Sequence, residues 1–283
     1  MKYTVLGGQG FIGQALVKRL LDAGYSVFSP GRDELSGNHP DLFKGQDLGH
    51  LIYCIGLTAD FRQRPLDTID AHVCLLNRLL RRGGFLSLTY LSSARLYADA
   101  DATSEDVRLT AKPYSLDSLY NISKMMGESA CLLGSDRARA VRLSNVYGTS
   151  PDSGNFLMSI LDDAAAKGKV IFRTSPESAK DYVSVSDVVR LLPDIAARGD
   201  FGIYNLASGV NTSNKEIADC LKEQGVAVEF PADGPLWTFP VIDIRKISRQ
   251  FEPPQNRLLE DLPDLLNKVR RAYEQGNRSS QNI

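Results

Sequence analysis

Apolar and polar positions follow two alternating periods through the first half of this 283-residue chain. Short runs rich in β-branched and aromatic residues, at 3–6, 26–29, 51–55, 85–91 and 138–143, read as strands. Between them, 12–23, 66–82 and 119–133 carry helical spacing. In the first of these helices Ile12, Leu16, Leu20 and Leu21 share an apolar face; Gly83 and Gly84 close the second. Strands alternating with helices predict an α/β fold, a Rossmann-type doubly wound parallel sheet with helices on both faces. Only eighteen residues separate Arg32 from Leu51, too few for a full βαβ unit. The third-strand region of the sheet is therefore expected to be abridged.

Past residue 150 the pattern loosens, with helices expected at 156–167, 185–197, 213–224 and 262–275 and strands at 170–172 and 202–206. This organisation predicts a sheet-bearing lobe from 1–150 and about 180–210. A small C-terminal α/β lobe would take about 151–179 and 211–275, followed by a polar, flexible tail at 276–283.

The first strand breaks into a glycine cluster before its helix, and that context gives the cluster meaning. Two registers fit: Gly8, Gly10 and Gly13 as G-x-G-x-x-G, or Gly7, Gly10 and Gly13 as G-x-x-G-x-x-G. In either, residues without Cβ let the backbone turn tightly and let a pyrophosphate reach the N–H groups at the helix start. The cluster therefore predicts dinucleotide binding.

Composition narrows the partners. A net charge of −1 argues against a general nucleic-acid binder or a membrane-surface protein. No apolar run is long enough to span a bilayer, and the chain enters its first strand without room for a signal peptide, so a cytoplasmic location is expected. Cys54, Cys74, Cys131 and Cys220 form no C-x-x-C pair and read as buried free thiols. His39, His50 and His72 share no short spacing, so no metal site is expected.

Lys124 follows Tyr120 by four residues, so on a helix both side chains project from one face. A phenol titrates too high to be a good base at neutrality, and a neighbouring ammonium favours its ionised form. Tyr120 is thus a candidate general acid or base tuned by Lys124.

Four segments beyond the glycine turn carry a family likeness. They are Tyr90-Leu-Ser-Ser-Ala-Arg-Leu-Tyr97, Tyr120-Asn-Ile-Ser-Lys124 with Gly127-Glu128, Arg142-Leu-Ser-Asn-Val-Tyr-Gly148, and Lys180-Asp-Tyr-Val-Ser-Val-Ser-Asp187. In order and spacing, over residues 1–210, the chain resembles the extended short-chain dehydrogenase/reductase family, the NAD(P)-dependent epimerase/dehydratase branch. The resemblance implies Ser93, Tyr120 and Lys124 as catalytic residues: Ser93 polarises a substrate oxygen, Tyr120 exchanges its proton, and Lys124 also holds the nicotinamide ribose. It implies cofactor contacts from Gly7, Gly10, Phe11, Ile12, Gly13, Arg32, Ile55 and Gly56, together with Tyr120 and Lys124. Substrate contacts fall to Ser93, Asn145, Asn155, Phe156 and Lys180, the last standing where the family often has a phosphate-binding arginine. A homodimer is a further family expectation.

Departures from the family pattern refine the reading. Dehydratases of the family carry Thr-Asp-Glu where this chain has Ser93-Ala94-Arg95, which speaks against water elimination. At the ribose-binding position after the second strand stands Gly31, followed by Arg32, a pair suited to a phosphate; NADP(H) is therefore favoured over NAD(H), with Asp33 keeping NAD open. A second family arginine is missing from the stretch before Asp243, so either Arg245 compensates or the substrate lacks a diphosphate. His72 replaces the family's asparagine, and Ile55-Gly56 its usual small pair. The expected function is an NADP(H)-dependent oxidoreductase reducing a keto group of a nucleotide-linked sugar. The alternatives are a nucleotide-sugar epimerase with tightly bound NAD and, in another class, a non-catalytic NADP-binding regulatory or scaffold protein.

Overall fold

The computed structural model describes residues 1–36, 43, 45–57, 61–149 and 155–280. Six parallel strands form the main sheet: β1 (Lys2–Leu6), β2 (Ser26–Phe28), β3 (His50–Tyr53), β4 (Ser87–Ser93), β5 (Ala138–Leu143) and β9 (Gly202–Leu206). Their order is β2-β1-β3-β4-β5-β9. The period-2 alternation sorts side chains between two cores. Tyr3, Val5, Ile52, Leu91, Val141 and Leu143 face one way, toward α1 (Phe11–Asp22) and α7 (Val185–Arg198). Leu6, Leu51, Tyr53, Leu88, Tyr90, Ala138 and Ala140 face the other, toward Leu76, Leu79 and Cys131 of the opposite helices. Those helices are α4 (Leu75–Arg82) and α5 (Leu116–Gly134).

The abridged edge is real among the described residues. After β2 the chain makes only the short helix α2 (Arg32–Ser36), and β3 then pairs with β1 on its other side, leaving β2 at the edge. Residues 37–42 and 44 of that connection lie outside the described set. The helix expected at 66–82 has a different interior: α3 (Pro65–Ile69) and α4 flank a π-helical turn, Asp70–Cys74, centred on His72.

The smaller assembly gathers around a separate core. It is built from α6 (Phe156–Lys167), α8 (Asn214–Glu223) and α10 (Leu258–Ser280), which bury Leu157, Leu161, Ile217, Leu221, Leu262 and Leu266. Strands β6 (Asn145–Tyr147), β8 (Ala179–Ser184) and β10 (Asn211–Ser213) form a second sheet, in the order β10-β8-β6, beside the cleft. A third pairing joins β7 (Lys169–Ile171) to β11 (Ala227–Glu229). The helix expected to end at residue 275 continues to Ser280. All four cysteines are free, but only Cys131 is fully buried; Cys74 is exposed, which corrects the expectation of four buried thiols. Among the described residues no helix is long and apolar enough to cross a membrane.

Candidate active site

The glycine turn is shaped by packing on one side and left open on the other. Gly7 has φ +81°, a conformation costly for any residue with a Cβ. A Cβ on Gly13 would lie 2.1 Å from the Gly7 carbonyl oxygen, so helix α1 can approach β1 only with glycine there. At Gly8 the Cβ position falls 1.9 Å from Ser29 Oγ, a side-chain atom rather than backbone. Gly10 differs: its Cβ would meet nothing nearer than 3.4 Å. Packing does not demand glycine at that position, whereas close approach of a ligand would. Gly10 is also the N-cap of α1, with no side-chain cap and no acid in the first turn. By contrast Ser115, Asn155, Ser184 and Ser213 cap α5, α6, α7 and α8 with their side chains. The start of α1 thus leaves N–H groups and the positive end of its dipole for a phosphate. The cradle fits a dinucleotide.

Ser93, Tyr120 and Lys124 come together at the mouth of β4. Ser93 ends that strand, and its Oγ accepts the Arg95 backbone N–H at 3.2 Å. It shares the cleft wall with the Tyr120 side chain. Burial raises the Tyr120 pKa; the nearby Ser93 hydroxyl and the Arg95 guanidinium act in the opposite direction. Lys124 Nζ donates to the Leu91 carbonyl at 2.9 Å and lies 5.9 Å from the Tyr120 ring centroid. Burial pulls its pKa down to about 7, opposed by Glu128 and Cys54. Arg95 and Lys124 both stand beside the Tyr120 ring, Cζ 5.8 Å and Nζ 5.9 Å from its centroid.

Ser92 and Ser93 have separate environments. Ser92 Oγ donates to Glu128 Oε1 at 2.6 Å in the interior. Glu128 in turn holds Arg142 through two bonds, Nε to Oε1 at 2.9 Å and Nη2 to Oε2 at 2.7 Å. Arg142 Nη1 reaches the Tyr97 hydroxyl at 2.7 Å, and Tyr97 donates to Asn205 Oδ1 at 2.8 Å. Glu128 and Arg142 thus meet as a bidentate buried pair bracing β4, β5 and α5 below the reactive groups. Ser92 is spent on this brace, and Ser93 is the hydroxyl left facing the cleft.

The cleft has a volume of about 730 Å³, the size of a small-molecule site. Its walls include Gly10, Phe11, Ile12, Gly13, Ile55, Gly56, Ser93, Tyr120, Lys124, Asn145, Asn155, Phe156 and Lys180. Of the anticipated residues, Gly7 and Arg32 are not on these walls. Gly7 shapes the turn from behind; Arg32 is exposed at the first position of α2, where the Gly31 N–H donates to Glu34 Oε2 at 2.8 Å. Asn145 donates from Nδ2 to the Asp181 carbonyl at 2.8 Å, which fixes its amide plane. Asn155 accepts the Met158 N–H at 2.9 Å. Lys180 Nζ sits 4.1 Å from the Phe156 ring centroid. Two buried polar atoms on the walls, Ser144 Oγ and the Tyr182 hydroxyl, have no partner among the described residues and suit a polar ligand. Arg245 lies off these walls, its guanidinium exposed and paired with Asp243.

Sequence reasoning missed the groups around Arg95. Arg62 and Arg95 each bring an Nη2 to 2.7 Å from the same oxygen, Oδ1 of Asp117. Phe61 lies between them, 4.5 Å from Arg62 Cζ and 5.4 Å from Arg95 Cζ, with its ring 4.8 Å from that of Tyr120. Three separate stretches of chain supply this cluster, and no motif joins them.

A parallel sheet with a glycine cradle at its switch point, facing a serine, tyrosine and lysine, defines a Rossmann-fold enzyme of the short-chain type. The sequence profile of the NAD dependent epimerase/dehydratase family matches residues 3–207, and the chain belongs to that family. Its similarity to UDP-glucuronic acid decarboxylase 1 of Arabidopsis thaliana is 25% identity over 95% of this chain and 70% of that protein. Against the decarboxylating sterol-4-alpha-carboxylate 3-dehydrogenase of Mus musculus it is 27% over 66% and 57%, so the chain spans little more than half of that relative. Among solved structures, MoeE5 in complex with UDP-glucuronic acid and NAD superposes with a TM-score of 0.79 at 23% identity, covering 96% of this chain and 100% of that one. RMD from Pseudomonas aeruginosa complexed with NADPH gives 0.77 at 18%, covering 95% and 99%. At these identities the superpositions establish the fold.

Proposed function

We propose that this chain is an NADP(H)-dependent oxidoreductase that reduces a keto group on a nucleotide-linked sugar. The observation carrying this reading is the convergence of Ser93, Tyr120 and Lys124 on the same cleft as the Gly10 turn. The dinucleotide, when bound, supplies the hydride. Ser93 Oγ–H and Tyr120 Oη–H would both donate to the carbonyl oxygen, polarising it. As the carbon is reduced, the Tyr120 proton passes to that oxygen and leaves a phenolate, so ketone becomes alcohol with the hydride and this proton accounted for. Arg95 favours the phenolate left behind. Lys124, its pKa lowered to about 7, would be the neighbouring group able to return a proton to Tyr120.

The sugar nucleotide part of the reading draws support from relatives named for such substrates and from a structural neighbour bound to one. The choice of NADP(H) rests on Gly31 and the exposed Arg32. The test is to compare NADPH and NADH affinity in the native protein and in Arg32→Ala. NADPH should bind at least about tenfold more tightly, with that margin lost in the variant. Equal binding of both nucleotides by the native protein would overturn the cofactor assignment.

A second reading, an epimerase with tightly bound NAD, is favoured by one observation. The Glu34 carboxylate sits at the Gly31 N–H, where an acid could accept from ribose hydroxyls. NAD released on heat denaturation, with no NADPH consumed on any keto sugar, would support it instead.

A further inference from the structure

Among the described residues the cleft is lined by more cations than carboxylates. Four cationic side chains line it, Arg62, Arg95, Lys124 and Lys180, against one described carboxylate, Asp181. That carboxylate is already spent, accepting from Ser208 N and Oγ at 2.9 Å each, Gly209 N at 2.7 Å and Val210 N at 3.2 Å. Asp117 serves both Arg62 and Arg95 through a single oxygen, at ion-pair distance but without aligned hydrogen bonds. The Arg95 guanidinium donates no aligned hydrogen bond to any described residue. Lys180 likewise has no oxygen partner among them and rests on the face of Phe156. A half-buried ammonium on a cleft wall with no described oxygen partner is placed to take up an anionic ligand.

We propose that Arg95 and Lys180 form an oxyanion clamp selecting a nucleotide sugar whose reacting ring bears a carboxylate. The proposal rests on the nucleotide-sugar reading above and specifies its substrate class. Position separates this carboxylate from the diphosphate. Arg95 follows Ser93 by two residues, and its Cζ is 5.8 Å from the Tyr120 ring centroid. Both hydroxyls that would meet the reacting oxygen are thus next to Arg95, so an anion on its fork belongs to the same ring as the carbonyl. A diphosphate hangs from the far side of that ring. Arg95, Tyr120 and Lys180 line the same cleft, with the Arg95 guanidinium beside the proton donor. An arginine also suits a carboxylate geometrically, its planar fork matching two oxygens at once.

The test is calorimetric binding of UDP-glucuronic acid, UDP-glucose and UDP to the protein loaded with NADP+, which cannot deliver hydride. UDP-glucuronic acid should bind the native protein at least about tenfold more tightly than UDP-glucose. In Arg95→Gln and in Lys180→Gln that preference should disappear while UDP affinity stays unchanged. Arg95→Lys, which retains the charge, should keep part of it and gives a second route if the glutamine variant does not fold. Equal binding of the two sugars to the native protein overturns the clamp and leaves the nucleotide-sugar reading standing. A parallel loss of UDP and UDP-glucose binding in Arg95→Gln also overturns it, since the cations would then be reading the diphosphate. Failure of all three ligands to bind overturns the nucleotide-sugar reading together with the clamp.

Discussion

His72 Nδ1 lies 2.8 Å from Ser123 Oγ, and that contact sets the tautomer of a buried imidazole behind the active site. Ser123 spends its own proton on the Tyr120 carbonyl, 2.8 Å away, so it must accept from His72. Nδ1 therefore carries the proton and Nε2 is bare, accepting the Leu57 N–H at 3.4 Å. A Cβ on Gly56 would lie 3.2 Å from that Nε2 and 3.4 Å from Lys124 Nζ, so the lone pair and the ammonium share one floor. Burial, reinforced by Lys124, pulls the His72 pKa down to about 2. The expected outcome is an imidazole that stays neutral from about pH 4 to about pH 9, with Nδ1 protonated throughout. Imidazole nitrogen NMR shifts would check it; a titration near the ordinary histidine value would refute the arrangement.

Neighbouring serines should have unlike effects. Ser93→Ala removes a donor beside the reacting oxygen and should lower kcat by about 10²–10³-fold with the fold intact. Tyr120→Phe removes the proton donor and should cost about 10²–10⁴-fold. Ser92→Ala should leave kcat near native and lower stability by about 1 kcal/mol, through the lost bond to Glu128. Steady-state kinetics with thermal melts on the three variants would settle the assignment, and a larger kcat loss from Ser92→Ala would reverse it.

That serine pair shows how far the chain could be read before its structure. Strands 138–143 and 202–206 and helix 156–167 have the bounds their patterns predict, because clean alternation or helical spacing meets a clear stop at each end. The strands β6, β8 and β10 were not legible. Asn145–Tyr147 and Asn211–Ser213 are three residues each, too short for a period, and Ala179–Ser184 mixes Lys180 and Asp181 into its run. Their pairing depends on partners far along the chain, a tertiary matter that local propensity does not encode. The same holds at the site. Motifs located Ser93, Tyr120, Lys124 and the glycine turn, since each sits within a local strand–turn–helix context. Arg95 stood out only as a missing acid; its role came from Arg62, Asp117 and Phe61, which meet it only in three dimensions.

Lys180 gives the site a pH dependence of definite sign. Burial, reinforced by Arg95, lowers its pKa to about 8. Below that value the ammonium is present and attracts an anionic substrate; above it the free protein loses the proton, and binding must take one up. Affinity for UDP-glucuronic acid should therefore fall as pH rises through about 8, by up to about tenfold per unit. Lys180→Arg, whose guanidinium stays charged, should flatten this dependence. Calorimetric titrations across that window would check both, and a flat native profile would remove Lys180 from substrate recognition.

The Glu128–Arg142 pair should matter chiefly to stability. Both side chains are nearly inaccessible, at 5% and 3% exposed, and their contacts tie α5 to β5. Glu128→Gln would leave a buried guanidinium without its counter-charge, a loss of about 3–5 kcal/mol. Denaturant unfolding should show this loss well above that of Ser92→Ala, since the serine removes only a neutral donor. Equal losses in the two variants would mean that Arg142 finds compensation elsewhere.

Gly10 and Gly13 belong to one motif but should fail differently when replaced by alanine. At Gly13 the new Cβ would fall 2.1 Å from the Gly7 carbonyl oxygen and 2.8 Å from Gly8 Cα. Both are backbone atoms, so α1 would have to move off β1, at about 1–3 kcal/mol or more. At Gly10 the only neighbour is the Gly7 oxygen at 3.4 Å, an ordinary contact, and its φ of −79° suits any residue. Gly10→Ala should therefore melt like the native protein while binding the dinucleotide at least about tenfold more weakly, because the methyl occupies the approach to the N–H groups of α1. Gly13→Ala should melt lower even without cofactor. Melting curves with and without added nucleotide separate the two effects. If Gly10→Ala bound the dinucleotide as the native protein does, the phosphates would have to lie elsewhere along the cleft.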